Sequence, residues 1–274
     1  MNRAMRGIGP VAAAVLASGS AATAAADATD AACCTVVELR QYALHPQRFT
    51  PFARLFEREF IEPQEAAGIT VIGQFRDLDD PNRFVWLRGF ADMASRARGL
   101  ETFYGSALWK SLRDEANANF TDTDNVLLLR PASATGAIDL RGLARKPAGA
   151  PADAPGLVVA AVYPVEAADA DEFKRWFDRD MKPALRQAGI RIAGWFETDP
   201  TPNNFPRLPV REGEHVLVWV ARFGDRQSGD AALHELTRTT LWRNTLGPGL
   251  QRRLHGAPQL LRLEPTARSR LRGE

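Results

Sequence analysis

Glu38, Arg40 and Tyr42 alternate along Val36-Val37-Glu38-Leu39-Arg40-Gln41-Tyr42, a β-branched and aromatic run that reads as a strand. Alternation places the three on one face of a sheet. Two further strands, at residues 69–76 and 83–90, carry Gln74 with Arg76 and Trp86 with Arg88. The polarity of the alternation sets these on the same face. A carboxylate among guanidinium groups, flanked by an amide and two aromatics, suits a small, partly apolar molecule with an acidic or carbonyl group. In a binding protein, Arg40, Tyr42, Gln74, Arg76, Trp86 and Arg88 are the ligand-binding candidates. In a cofactor-free enzyme, Glu38 is the candidate acid or base, and Arg40, Arg76 or Arg88 would stabilise an oxyanion. The same charges also suit an internal ion-pair network with no ligand, and Tyr42 and Trp86 suit core filling. The sequence leaves these alternatives open, and with them the question of enzymatic activity.

Other chemistry is thinly represented. There is no nucleophile elbow, phosphate loop or dinucleotide fingerprint, so no cofactor is expected. His45, His215, His234 and His255 are scattered without metal-ligand spacing, and no metal site is expected. His234 and His255 read as surface residues. Ser106 stands before a helical stretch and reads as its cap. A net charge of +2, with 45% hydrophobic and 25% charged residues, is that of an ordinary globular protein with no pull toward nucleic acid.

The elements that position these residues occur twice. Ala67-Gly68-Ile69 and Ala188-Gly189-Ile190 each close a helical pattern and open a strand, and Ile69 and Ile190 stand 121 residues apart. The same offset carries Tyr42 onto Tyr163. Trp86 and Trp219, like Trp109 and Trp242, stand 133 apart, so the second copy holds a twelve-residue insertion. A period this long indicates a duplicated domain. The first copy reads βαββαβ, with Phe49, Phe52, Phe56 and Phe60 on one face of a helix that Pro63 should kink. The second copy repeats that order, with a helical break at Gly247-Pro248-Gly249. Its proline-rich insertion, residues 199–213, reads as an irregular loop able to fold over an opening. The expected layout is a leader at 1–26, a tail at 27–34, ferredoxin-like units at 35–131 and 157–265, a linker at 132–156 and a basic tail at 266–274. Ile138-Asp139-Leu140 is a short amphipathic turn within the linker.

Several separated motifs agree, in order, with one family. They are Glu38-Leu39-Arg40-Gln41-Tyr42, Phe84-Val85-Trp86-Leu87-Arg88-Gly89-Phe90, Phe103-Tyr104-Gly105-Ser106-Ala107-Leu108-Trp109-Lys110, Arg113 to Ala118, and Asp124-Asn125-Val126-Leu127-Leu128-Leu129-Arg130-Pro131. Over about residues 35–131 the chain resembles the NIPSNAP family. The resemblance implies a dimeric α/β-barrel, in which two ferredoxin-like sheets face each other, and the duplication implies that one chain supplies both sheets. Family members often carry a His near the position of Leu112, so the resemblance brings no His-based chemistry to this chain. If the two polar faces meet inside the barrel, Glu38, Arg40, Gln74, Arg76 and Arg88 oppose Val159, Ala161, Trp195, Glu197 and Ala221. The cavity would then have one charged and one apolar wall, for a small-molecule ligand. A protein partner on the outer surface is the other expectation.

The first residues have the pattern of a secretory signal: Arg3 and Arg6, an Ala-rich apolar run, then Ala24-Ala25-Ala26. The run is too short and Ala-rich for a stable membrane span, so a periplasmic or secreted location is expected. Cys33 and Cys34 read as exposed, oxidised with each other or between chains. Arg268, Arg270 and Arg272 read as a solvated terminus.

Overall fold

A computed structural model describes Met1, residues 33–150 and residues 156–273. The expected leader beyond Met1, residues 27–32 and the end of the linker lie outside the described residues. Strand β1 (Val36–Leu44) lies antiparallel between β3 (Arg83–Phe90) and β5 (Val126–Pro131), and β3 pairs with β2 (Thr70–Asp77). A short β4 (Phe120–Asp122) joins the end of β1. In the second unit β6 (Leu157–Pro164) lies between β8 (Val216–Phe223) and β9 (Gln259–Pro265), and β8 pairs with β7 (Ile192–Thr198). Antiparallel pairings of β5 with β7 and of β2 with β9 close the ring. The two ferredoxin-like sheets therefore form one eight-stranded antiparallel barrel within a single chain, with helices outside it.

The helices follow the same order in both units and correct one expectation. Residues 49–66 are helical on both sides of Pro63, with a widened turn at Phe56–Phe60 before the proline. The matching turn, Phe177–Met181, lies 121 residues on. Asp92 caps the helix Met93–Gly105 by accepting from Ser95 N at 2.6 Å. Ser106 caps Ala107–Asn117 by accepting from Trp109 N at 3.1 Å. In the second unit the break falls at Thr239, whose hydroxyl accepts from Trp242 N, and not at Gly247-Pro248-Gly249. Those residues stay helical, as Gly247–Gln251 directly after the widened turn Trp242–Leu246.

The larger correction concerns the faces of the first sheet. Val37, Leu39, Phe75, Val85 and Leu87 point into the barrel, where they meet Val158, Ala160, Val218 and Leu261 of the second unit. Tyr42 and Trp86 point the other way, into a layer with Phe52, Phe56, Phe60 and Phe103 from the helices. The polar faces of the two units thus point away from each other, and no charged cavity lies between them. An eight-stranded barrel has just enough interior for its own side chains, and this one is filled by apolar ones. Val71 shares the helix side with Trp86, because a bulge before Gly73 shifts the alternation. A second bulge falls before Gly194, again 121 residues on. A Cβ on either glycine would collide with a phenyl ring two residues along, Phe75 at 2.5 Å or Phe196 at 2.6 Å.

The ends of the barrel are closed by segments expected to be loose. Ile138 and Leu140 of the linker, Leu271 of the tail and Cys34 are all buried in the interior cluster. The basic tail is therefore not solvated: Arg268 and Ser269 are also buried, and the Arg268 guanidinium pairs with Glu62. Cys33 and Cys34 are joined by a disulfide, and Cys34 is not exposed. Its sulfur lies where a side chain at Gly89 would project. Gly89→Ala should therefore cost about 1–3 kcal/mol by overpacking, whereas Gly105→Ala, with nothing within 4 Å of the added carbon, should not. Thermal melts of the two variants check this, and equal midpoints would refute it.

Candidate ligand-binding site

Glu38 sits at the centre of the polar face, fully buried. Arg40, two residues along β1, donates from Nη1 to Glu38 Oε2 at 2.6 Å. Arg88, directly across in the β1–β3 register, donates from Nε to the same oxygen at 2.7 Å. Arg96, from the helix Met93–Gly105, donates from Nε to Oε1 at 2.7 Å. Burial alone would raise the Glu38 pKa. Arg88, Arg40 and Arg96 outweigh it and hold the carboxyl well below the usual carboxylate range. One carboxylate thus serves three buried guanidinium groups, and the cluster carries an excess of positive charge.

A cavity of about 80 Å³ lies beside this cluster, between the first sheet and its helices. Its walls include Phe52, Phe56, Phe60, Phe103, Trp109 and Phe120. Tyr42, Gln64, Trp86 and Tyr104 form the edge between the cavity and the arginines. Arg40 Nε donates to the Tyr42 hydroxyl at 2.7 Å. That occupies the oxygen as an acceptor and leaves its own proton to be donated elsewhere. Burial, the largest influence on Tyr42, pushes its pKa up although Arg40 and Arg88 act against it, so the phenol keeps its proton. Trp86 Nε1 is buried without an acceptor. Gln64 is already engaged, donating to Phe60 O at 2.9 Å. Among the described residues no carboxylate or imidazole lines the cavity.

The matching positions of the second unit are arranged differently. In the second unit the matching tryptophan donates from Trp219 Nε1 to the Tyr163 hydroxyl at 3.0 Å. Burial pushes the Tyr163 pKa up to about 12, the hydrogen bond from Trp219 opposing it. Ala161 stands where the first unit has Arg40, and Trp195 stacks on Phe177 at 4.4 Å in an apolar core. With no arginine to claim the tyrosine, the tryptophan N–H is satisfied. In the first unit Arg40 takes the tyrosine and the Trp86 N–H is left facing a hole.

The second unit also closes the first unit's cavity. Its insertion lays Phe205, Leu208 and Val210 on the helical layer, and Leu208 lines the cavity itself. Asn203 and Asn204 accept from Arg96 Nη1 at 3.0 and 2.7 Å. Asn204 Nδ2 donates in turn to Met93 O at 2.6 Å. The loop is therefore latched to the arginine cluster from outside.

Of the residues singled out in the sequence, Glu38, Arg40, Tyr42, Trp86 and Arg88 come together. Gln74 lies opposite Trp86 in the register and is fully buried, with both polar side-chain atoms unpartnered. Arg76 does not join them. It lies near the end of β2, 3.7 Å over the Phe49 ring and 3.3 Å from the Thr50 hydroxyl. Arg96, Gln64, Tyr104, Asn203, Asn204 and Leu208 were not anticipated. A signal existed for Arg96: with Gly99, Leu100 and Phe103 it forms an i, i+3, i+4, i+7 stripe, and all four are buried. Among the described residues no cluster of His, Cys, Asp and Glu could hold a metal ion. No helix among them is long and apolar enough to cross a membrane.

This architecture defines an α/β-barrel protein built from two ferredoxin-like halves of one chain, with the buried arginine cluster in the first. Residues 37–135 match the NIPSNAP family model. A NIPSNAP-like domain protein from Burkholderia xenovorans is 31% identical over 36% of this chain and 86% of its own, with a TM-score of 0.34 over the whole chain. The chain belongs to the NIPSNAP family through its first unit. At the level of the whole barrel it is similar to a proposed monooxygenase from Lactobacillus acidophilus NCFM. That match has a TM-score of 0.50 and 12% identity, over 86% of this chain and 97% of that one. It is similar also to an anthrone oxidase-like protein, with a TM-score of 0.50 and 13% identity, over 84% and 91%. No curated protein matches the chain.

Proposed function

We propose that the protein is an exported binding protein whose first unit takes a small, partly apolar molecule with an acidic or carbonyl oxygen. The ligand sits between the first sheet and its helices, not inside the barrel. The observation that carries this is the buried Trp86 N–H, which faces a cavity without an acceptor while its duplicate Trp219 is satisfied. A buried donor left unpaired costs about 1–3 kcal/mol, and a ligand oxygen recovers it. The arginine excess behind the cavity edge favours an oxygen with negative character. The Arg-bearing, Ala-rich leader supports export.

The enzyme reading is the second one. Donors backed by positive charge are suited to stabilising an oxyanion, and the structural neighbours named for oxygenase and oxidase chemistry share the fold. Glu38 is a poor base for such a reaction, because both its oxygens are occupied and three arginines hold it ionised. With no base lining the cavity, a reaction would have to begin from a substrate already ionised.

Native mass spectrometry of the full chain from its own host tests the binding reading. A small molecule released on denaturation, and absent from a folded Trp86→Phe variant, is the expected result. An empty wild-type protein would refute the reading. Stability gives an independent check. Both Trp→Phe changes shrink a buried ring, but only Trp219→Phe breaks a hydrogen bond and leaves Tyr163 short of its donor. The unliganded Trp219→Phe protein should therefore lose about 1–3 kcal/mol more than unliganded Trp86→Phe in urea denaturation.

A further inference from the structure

The cavity's size, walls and charge narrow the ligand further than the binding reading on which this inference rests. First, charge: three buried guanidinium groups surround one carboxylate, and Glu38 is the only carboxylate bonded to any of them among the described residues. Buried positive charge in excess is unfavourable unless an anion completes it. Second, shape: the cavity is about 80 Å³, against about 150 Å³ for a cavity that takes benzene, so its walls must give way even for one ring and exclude a fused pair. Third, walls: its neighbours are ring edges and faces, with Tyr104 and Trp109 at 4.8 Å and 82°, and Phe60 and Trp109 at 5.6 Å. Edge-to-face packing of this kind accepts another aromatic ring better than a flexible chain. Fourth, the polar lining holds Gln64, Tyr104, Asn117 and Thr123 but no carboxylate among the described residues, and at the Trp86 N–H and the Tyr42 O–H it offers two donors to an accepting oxygen.

We propose that the pocket binds a single-ring aromatic anion, a carboxylate or a phenolate. Its oxygen lies toward Trp86 Nε1 and the Tyr42 hydroxyl, and its ring lies among Phe52, Phe56 and Phe60. Leu208, contributed by the second unit, sets the length the pocket accepts. The insertion is thus a specificity element for a site otherwise built by the first unit, and the Arg96 latch with Asn203 and Asn204 holds it in place.

Isothermal titration of the full chain at about pH 7.5, where the carboxylates are ionised, tests this with benzoate, 4-nitrophenolate, benzyl alcohol, cyclohexanecarboxylate and 2-naphthoate. Benzoate or 4-nitrophenolate should bind at least about tenfold more tightly than benzyl alcohol or cyclohexanecarboxylate, a difference of about 1.4 kcal/mol. 2-Naphthoate should bind only after Leu208→Ala. Leu208→Phe, which shortens the cavity instead, should abolish benzoate binding without moving the melting midpoint, and it serves also if Leu208→Ala does not fold. Benzyl alcohol equal to benzoate would overturn the anionic assignment, and cyclohexanecarboxylate equal to benzoate the aromatic one. 2-Naphthoate bound by the unaltered protein would overturn the role of Leu208. In those cases the binding reading stands. If no probe binds but native mass spectrometry finds a ligand, the aromatic-anion assignment alone falls. If neither finds a ligand, both fall.

Discussion

Glu38→Gln should destabilise the protein by about 3–5 kcal/mol, the range for removing one partner from a buried ion pair. The amide fills the same space and still accepts hydrogen bonds, so packing changes little. What is lost is the only negative charge, among the described residues, bonded to Arg40, Arg88 and Arg96, all of them buried. The proper control is Glu197→Gln. Glu197 is also buried, but its partners Arg130 and Lys174 are 48% and 21% exposed and can turn to water. Its loss should cost no more than about 1 kcal/mol. Urea denaturation of both variants reads the difference, and equal losses would mean that the three-arginine cluster is not under electrostatic load. The pH dependence has a definite sign. The folded pKa of Glu38 is depressed, so its stabilisation is complete above the ordinary Glu value of 4.5 and is lost as pH falls toward the lower folded value. The gap between wild type and Glu38→Gln should therefore be flat from neutral pH down to that value and narrow only in stronger acid. A gap that stayed unchanged into strong acid would show that Glu38 titrates as an ordinary carboxylate, with the same pKa folded and unfolded.

Much of this was legible in the residues, and the errors have physical causes. The likeness of the two halves was visible because the same local problems recur: a helix must end at Gly68 or Gly189, and a strand must bulge before Gly73 or Gly194. The polar residues of β1 and β3 could be grouped because a strand has period two. Which face they occupied could not be read from that period, since in a closed barrel both faces are buried and only chemistry distinguishes them. The narrow interior accepts Val, Leu and Ala, whereas the thicker helical layer has room for Trp86 and three arginines. Arg76 shares the alternation of Gln74, but it stands too near the strand end to reach Glu38. Arg96 is helical, so a search along strands passed over it. The prolines of the insertion announced a loop, but no local pattern says that a loop of the second unit will dock on the first. The tail was misread because Arg268 and Arg270 resemble solvated residues, while the deciding residue is Leu271 between them and the end.

Ending the chain at Pro265 should cost about 4 kcal/mol. Leu271 is fully buried in the barrel, worth about 2 kcal/mol. The tail also makes backbone hydrogen bonds from Thr266 N to Gln74 O and from Leu271 N to Ile72 O, both 2.9 Å, each worth about 1 kcal/mol. Calorimetric melts check the stability, and an unchanged midpoint would restore the picture of a solvated basic terminus. The same variant locates the site. The tail plugs the barrel interior, on one side of the first sheet, while Tyr42, Trp86 and the cavity lie on the other. At a temperature where both proteins are folded, the truncated chain should bind benzoate as the full chain does. A truncated protein that folds but loses its ligand would instead place the ligand inside the barrel. The charged face between sheet and helices would then be a structural network, and the satisfied Trp219 would be the rule to which the orphaned Trp86 is a mere exception.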